Sequence, residues 1–158
     1  MLKDEDYAFL KKTGIYTVVN LQYPFVLFKD YPVLCSKYHL NCAYLPVEII
    51  PRSDLVFDIA ALKNAYKFTL DELKAGKEVY LHCYYGQERT GILAAALMIR
   101  ERMCKPGVEN DPKIRANTWK ALDEAFRKYG YREAHQKPFM EMKTWVTGFE
   151  SNKNWICQ

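Results

Sequence analysis

Cys83 and Arg89 stand six positions apart in the run His82-Cys83-Tyr84-Tyr85-Gly86-Gln87-Glu88-Arg89-Thr90-Gly91. A cysteine thiol titrates near ~8.5 when free, but a helix N-terminus and a nearby cation favour its nucleophilic thiolate at neutral pH. The five residues between Cys83 and Arg89 can curl with their backbone N–H groups inward, and Gly86 permits the backbone angles this needs. Such a ring, continued by the positive end of a following helix, is an anion site. The planar fork of Arg89 matches two equatorial oxygens of a phosphoryl group, which a lysine does not. This chemistry puts Cys83 beneath the phosphorus as an in-line nucleophile and Thr90 beside the sulfur as a donor that eases its departure. Tyr84, Tyr85, Gly86, Gln87, Glu88 and Arg89 are then the candidate substrate-binding residues, Tyr84 and Tyr85 either lining the pocket or packing on neighbouring loops. A lone cysteine is more often a small buried hydrophobe than a catalyst. Gly86, Arg89 and Thr90 in register with it argue for catalysis.

A strand and a helix must hold that loop. Glu78-Val79-Tyr80-Leu81 reads as a strand and Ile92 to Ile99 as a buried helix. Upstream, Asp4 to Lys12 has a short amphipathic helical pattern closed by Gly14, and Ile15 to Leu21 reads as a buried strand. Val26 to Tyr38, around Pro32, reads as an irregular helix, and Asn41 to Val47 as another strand. Ser53 or Asp54 is the predicted cap of a long helix with Leu55, Ile59, Leu62, Tyr66 and Leu73 on one face, stopped by Gly76. Lys105 to Pro112 is a loop, followed by a helix with Trp119, Leu122, Phe126 and Tyr129 on one side, ending at Gly130. A last helix is expected from Pro138, burying Phe139, Met142, Trp145 and Phe149. Strands alternating with helices predict an α/β fold with a mostly parallel sheet covered on both faces. In such sheets ligands bind beyond the carboxyl ends of the strands, where the Cys83 loop falls.

The chain has 158 residues, of which 49% are apolar and 27% charged, enough for one domain with a real core. There is no internal repeat, secretion signal or apolar run of membrane-spanning length. A net charge of +4 suits an anionic substrate without implying nucleic acid, since no basic block stands out. The five cysteines, Cys35, Cys42, Cys83, Cys104 and Cys157, are irregularly spaced and form no zinc pattern. They read as simple buried thiols in a reduced compartment, with no metal. The missing signal and membrane span lead to the expectation of a cytoplasmic chain, taken to be a monomer without a cofactor.

His82-Cys83-x5-Arg89-Thr90-Gly91 resembles the signature loop of the cysteine-dependent protein tyrosine and dual-specificity phosphatases. Asp6 to Leu21 is similar to the helix–strand entry of the compact dual-specificity domains, and Tyr44-Leu45-Pro46-Val47 to their strand before the acid loop. The resemblance covers most of the chain up to about Met103. It implies a single phosphatase domain over residues 1–158, with a central, mostly parallel sheet of about four strands flanked by helices on both faces. It implies metal-free phosphomonoester hydrolysis in two steps through a phosphocysteine, with His82 supporting the loop and the thiolate. The family also has a short strand before its first helix. This chain begins too late for it, as a truncated or reduced variant would.

The family takes its proton donor from an aspartate on the loop after Pro46. Here that position is Ile49. Glu48 is one residue early and Asp54 several late, while Asp58 is expected inside the helix. Glu48 is the favoured general acid because it follows a strand end on the right side of the sheet; Asp54, or no acid at all, is the alternative. The loop lacks the lysines of phosphoinositide-directed branches, and Glu88 adds a negative charge, so a protein tyrosine or dual-specificity phosphatase is the first reading. A phosphoinositide or inositol phosphate phosphatase, a phosphate-binding pseudophosphatase, and a sulfurtransferase or arsenate reductase remain as rivals.

Overall fold

The computed structural model describes residues 2–23, 31–50, 56–108, 111–130, 142–143 and 155–158. In chain order its elements are α1 (Asp4–Lys12), β1 (Thr17–Asn20), α2 (Tyr31–Lys37), β2 (Asn41–Tyr44), β3 (Ile49–Ile50), β4 (Val56–Phe57), α3 (Ile59–Lys74), β5 (Val79–His82), α4 (Arg89–Met103), α5 (Pro112–Tyr129) and a 3-10 turn, Trp155–Cys157.

Among the described residues the main sheet has three strands in the order β2-β1-β5, all parallel, rather than about four. β1 is central and its four residues are all buried. Its side chains alternate between two cores, as strand geometry requires. Val18 joins Tyr7, Leu10, Tyr31, Cys35 and Leu40 on the α1–α2 face. Val19 joins Leu62, Tyr66, Leu93, Ile99 and Leu122 on the face covered by α3, α4 and α5. The expected two-faced cover is therefore present. Since the chain passes from β1 to β2 on one side and to β5 on the other, the carboxyl ends of β1 and β5 flank a point where strand order reverses.

The helices form for local reasons. Asp111 accepts from the N–H groups of Lys113 and Ile114, Pro112 fills the first turn, and Gly130 closes α5 in the left-handed conformation at φ 67°. Leu122 and Phe126 of this helix are buried, as their spacing predicts. The long helix starts later than the sequence indicates. Val56 and Phe57 pair antiparallel with Ile50 and Ile49, and Asp58 then caps α3 by accepting from Ala61 N–H at 3.0 Å. Residues with β propensity are thus drawn into a ribbon instead of the first helical turn. Leu62 and Tyr66 are buried on α3, whereas Leu73 is 42% exposed near its end. Ser53, Asp54, Leu55 and the Pro138 helix start lie outside the described residues, as do Phe139, Trp145 and Phe149; Met142 is helical and buried.

The cysteines correct one expectation outright. Cys35 is bonded to Cys42 and Cys104 to Cys157, with Cα–Cα separations of 6.0 and 5.2 Å, leaving Cys83 as the free thiol. They are not simple buried thiols, and none is left over to pair with Cys83. The first bridge ties α2 to β2, and the second ties the end of α4 to the C-terminal turn. No described helix is long and apolar enough to cross a membrane.

Candidate active site

His82 ends β5, Cys83 opens the loop and Arg89 is the first residue of α4. This is the strand–turn–helix that the sequence indicates. α4 is buried along most of its length through Ile92, Leu93, Ala95, Ala96, Ile99 and Met103, so its N-terminus is fixed by packing on more than one side. Gly86 sits at φ 74°, in the left-handed region. A Cβ there would meet nothing within 4 Å, so backbone conformation alone asks for glycine. Glu88 occupies the cap position of α4 without its side chain capping the helix, and the N-terminal amides are not claimed by it.

Cys83 is buried, 7% exposed. The guanidinium of Arg89 is anchored at one point, with Nε donating to the Val47 carbonyl at 2.7 Å. Val47 is itself tied to the sheet, its N–H donating to Leu21, whose N–H donates to His82. The loop after β2, the end of β1 and the Cys83 loop are linked by this chain of bonds. Glu48 directly follows Val47, is exposed, and accepts from Asp58 N–H through its carbonyl. Asp58, with its side chain on the α3 cap, is committed elsewhere. Asp54 lies outside the described residues.

Burial drives the His82 pKa down to about 4, while a hydrogen bond to the Cys83 backbone opposes the shift. His82 is therefore neutral at physiological pH and cannot supply a charge to the thiolate. Thr90 is buried and its Oγ1 has no protein partner among the described residues, leaving the hydroxyl available to a neighbouring sulfur or anion. Tyr84 and Tyr85 pack edge to face with centroids 4.5 Å apart, yet are 49% and 78% exposed. Both line a cleft of about 250 Å³ with Leu2, Tyr80, His82, Cys83 and Gly86, which opens beside the loop on the β5 side rather than over Arg89. Gln87 reaches towards the C-terminus of α5, its Nε2 3.6 Å from where a Cβ on Gly130 would lie.

Two contributors escape sequence reasoning. The Val47 carbonyl leaves no trace in a side-chain pattern. Tyr44, at the carboxyl end of β2, has its phenol pKa raised by burial and by Tyr23, with Arg89 opposing, which places its hydroxyl in the field of the Arg89 guanidinium. Its position at a strand end was the available signal. Among the described residues no cluster of three or more His, Cys, Asp or Glu is arranged to hold a metal ion.

No protein-family model matches the chain, and no curated protein matches its sequence. Solved structures do match its fold. Tk-PTP in its active form superposes with a TM-score of 0.64 at 20% identity, covering 93% of this chain and 87% of the other. PTPMT1 in complex with PI(5)P gives 0.61 at 15% identity, with 92% and 85% covered. TpbA of P. aeruginosa in complex with pTyr gives 0.54 at 21% identity, with 94% and 75% covered. The fold of this chain, a parallel sheet that ends in the Cys83 loop and is backed by α4, is thus similar to that of Tk-PTP, PTPMT1 and TpbA, which are cysteine-based tyrosine or dual-specificity-like phosphatases.

Proposed function

We propose that this protein hydrolyses phosphomonoesters through a phosphocysteine on Cys83, with phosphotyrosine or another phosphorylated protein side chain as the first substrate class. The carrying observation is a free, buried Cys83 at the carboxyl end of β5, six positions from an arginine that opens a buried helix and is anchored on Val47. In the first step the Cys83 thiolate attacks phosphorus, forming an S–P bond as the P–O bond to the leaving group breaks. Arg89 and the helix N-terminus balance the negative charge on the equatorial oxygens. A proton passes to the departing oxygen, and Glu48 is the donor we assign, supported by its place one residue from the carbonyl that holds Arg89. In the second step water attacks phosphorus and gives a proton back to the Glu48 carboxylate, the S–P bond breaks with Thr90 hydrogen-bonding to the departing thiolate, and phosphate is released. His82, neutral and buried, shapes the loop and is not a base.

The test is hydrolysis of an aryl phosphate by wild type and Cys83→Ser, followed by turnover of phosphotyrosine peptides beside a soluble phosphoinositide headgroup. We expect activity that vanishes in Cys83→Ser and favours the peptide. No turnover of any phosphomonoester by the wild type would leave a phosphate-binding protein. A phosphoinositide reading is favoured by one observation, the fold shared with PTPMT1 in complex with PI(5)P. A preference for the headgroup over the peptide would install it.

A further inference from the structure

Asn20 ends β1, and its Cα partners across the sheet are His82 on β5 and Tyr44 on β2. Residues paired in this way point their side chains to one face. For Asn20 and His82 it is the α1–α2 face, since Val18 and Tyr80, each two residues earlier, both lie in that core. Asn20 is fully buried and His82 is 8% exposed. Asn20 Oδ1 accepts from Gln22 N–H at 2.9 Å, which fixes the orientation of the amide and leaves Nδ2 as the remaining donor. Neither Asn20 Nδ2 nor His82 Nε2 has a protein partner among the described residues.

The two atoms are complementary. The bond between the His82 ring and the Cys83 backbone favours the protonated ring, so the ring donates in it, to the carbonyl. That donor is Nδ1–H, because Nε2 is the nitrogen without a partner. In the neutral ring Nε2 is then a buried acceptor. A buried donor and a buried acceptor, on one face of adjacent strands and not bonded to each other, are satisfied together by one water molecule that accepts from the first and donates to the second.

We propose that Asn20 is a positioning residue for the nucleophile loop: through a bridging water it holds His82 in the Nδ1–H tautomer, and the imidazole in turn holds the Cys83 carbonyl. Other titratable groups around this face are Tyr80, stacked on the imidazole at 5.8 Å, Asp6 of α1, which acts on Tyr80, the Tyr7 and Tyr31 phenols of the same core, the Tyr44 phenol next along the row, and the N-terminal amine, whose charge disfavours the protonated ring. None of these hydrogen-bonds Nε2, and His82 is among the residues that line the neighbouring cleft.

The inference rests on the phosphatase reading only for its kinetic arm. The chain has three histidines, so long-range ¹H–¹⁵N spectra of uniformly labelled protein resolve the His82 ring nitrogens without any turnover. At pH 7 the wild type is expected to show His82 as the neutral Nδ1–H form. In Asn20→Leu, which keeps the volume and removes the donor, both tautomers are expected, with kcat down about tenfold, the worth of roughly one hydrogen bond, and KM little changed. Asn20→Ser, whose hydroxyl can donate to the water, is expected to restore the single tautomer. An Nε2–H ring in the wild type overturns the proposal even if no variant folds. So does Asn20→Leu with wild-type tautomer and kcat but reduced thermal stability, which would make Asn20 purely structural.

Discussion

In the proposed mechanism Arg89 performs two tasks with one side chain. Its Nε is spent on the Val47 carbonyl at 2.7 Å, which aims the planar fork, and its terminal nitrogens take the phosphoryl oxygens. Lysine has a single ammonium on a flexible stem and cannot satisfy both. We therefore expect Arg89→Lys to keep the charge of the site and lose about 10²–10³-fold in kcat on an aryl phosphate, the usual cost of removing a preorganised donor. Near-wild-type turnover in that variant would remove the residue from the mechanism. The placement of Cys83 after a strand, of Arg89 at a helix start and of Gly86 in the turn was legible in the sequence because the three are contiguous and each has a residue-specific chemistry. The carboxylates were harder to read. Asp58 looked like a mid-helix residue because a run such as Val56-Phe57-Asp58-Ile59 does not disclose where strand pairing stops and helix begins.

At the level of elements, the end of the sheet opposite the active site is fastened by one carboxylate. Glu72 on α3 accepts from Thr17 Oγ1 on β1, from Asn41 Nδ2 on β2 at 3.0 Å, and from Lys77 Nζ at 2.8 Å. Lys77 first, then Thr17, hold its pKa below the ordinary 4.5. A carboxyl with a depressed folded-state pKa stabilises the protein above its unfolded value, and that contribution is lost as pH falls through the folded value. Glu72→Gln is therefore expected to melt lower than wild type at pH 7, and the gap in Tm should close as the pH is taken well below 4.5. A gap independent of pH would mean that shape, not charge, holds the junction. Element identity followed from apolar runs for β1, β5 and α4 and from periodicity for α5. The short ribbon of β3 and β4 did not, because two-residue strands carry no period to detect.

For the molecule as a whole, the two disulfides were the least legible feature. Irregular cysteine spacing is silent about pairing, which depends on where helices and strands bring the thiols together. Cys104–Cys157 closes a separation of 53 residues and pins the C-terminal turn, where Ile156 is buried and its carbonyl accepts from Arg100 at 2.6 Å. Restricting an unfolded loop of that length is worth about 4 kcal/mol in the chain-entropy account. Replacing both cysteines by serine should lower the unfolding free energy in urea by about that much. An unchanged midpoint would mean that the turn docks without the bond. The pairing also alters what a thiol count means. Four cysteines are consumed in bridges and Cys83 alone is free, so with Cys83 as the proposed nucleophile a count of free sulfhydryls in the oxidised protein becomes a count of intact active sites.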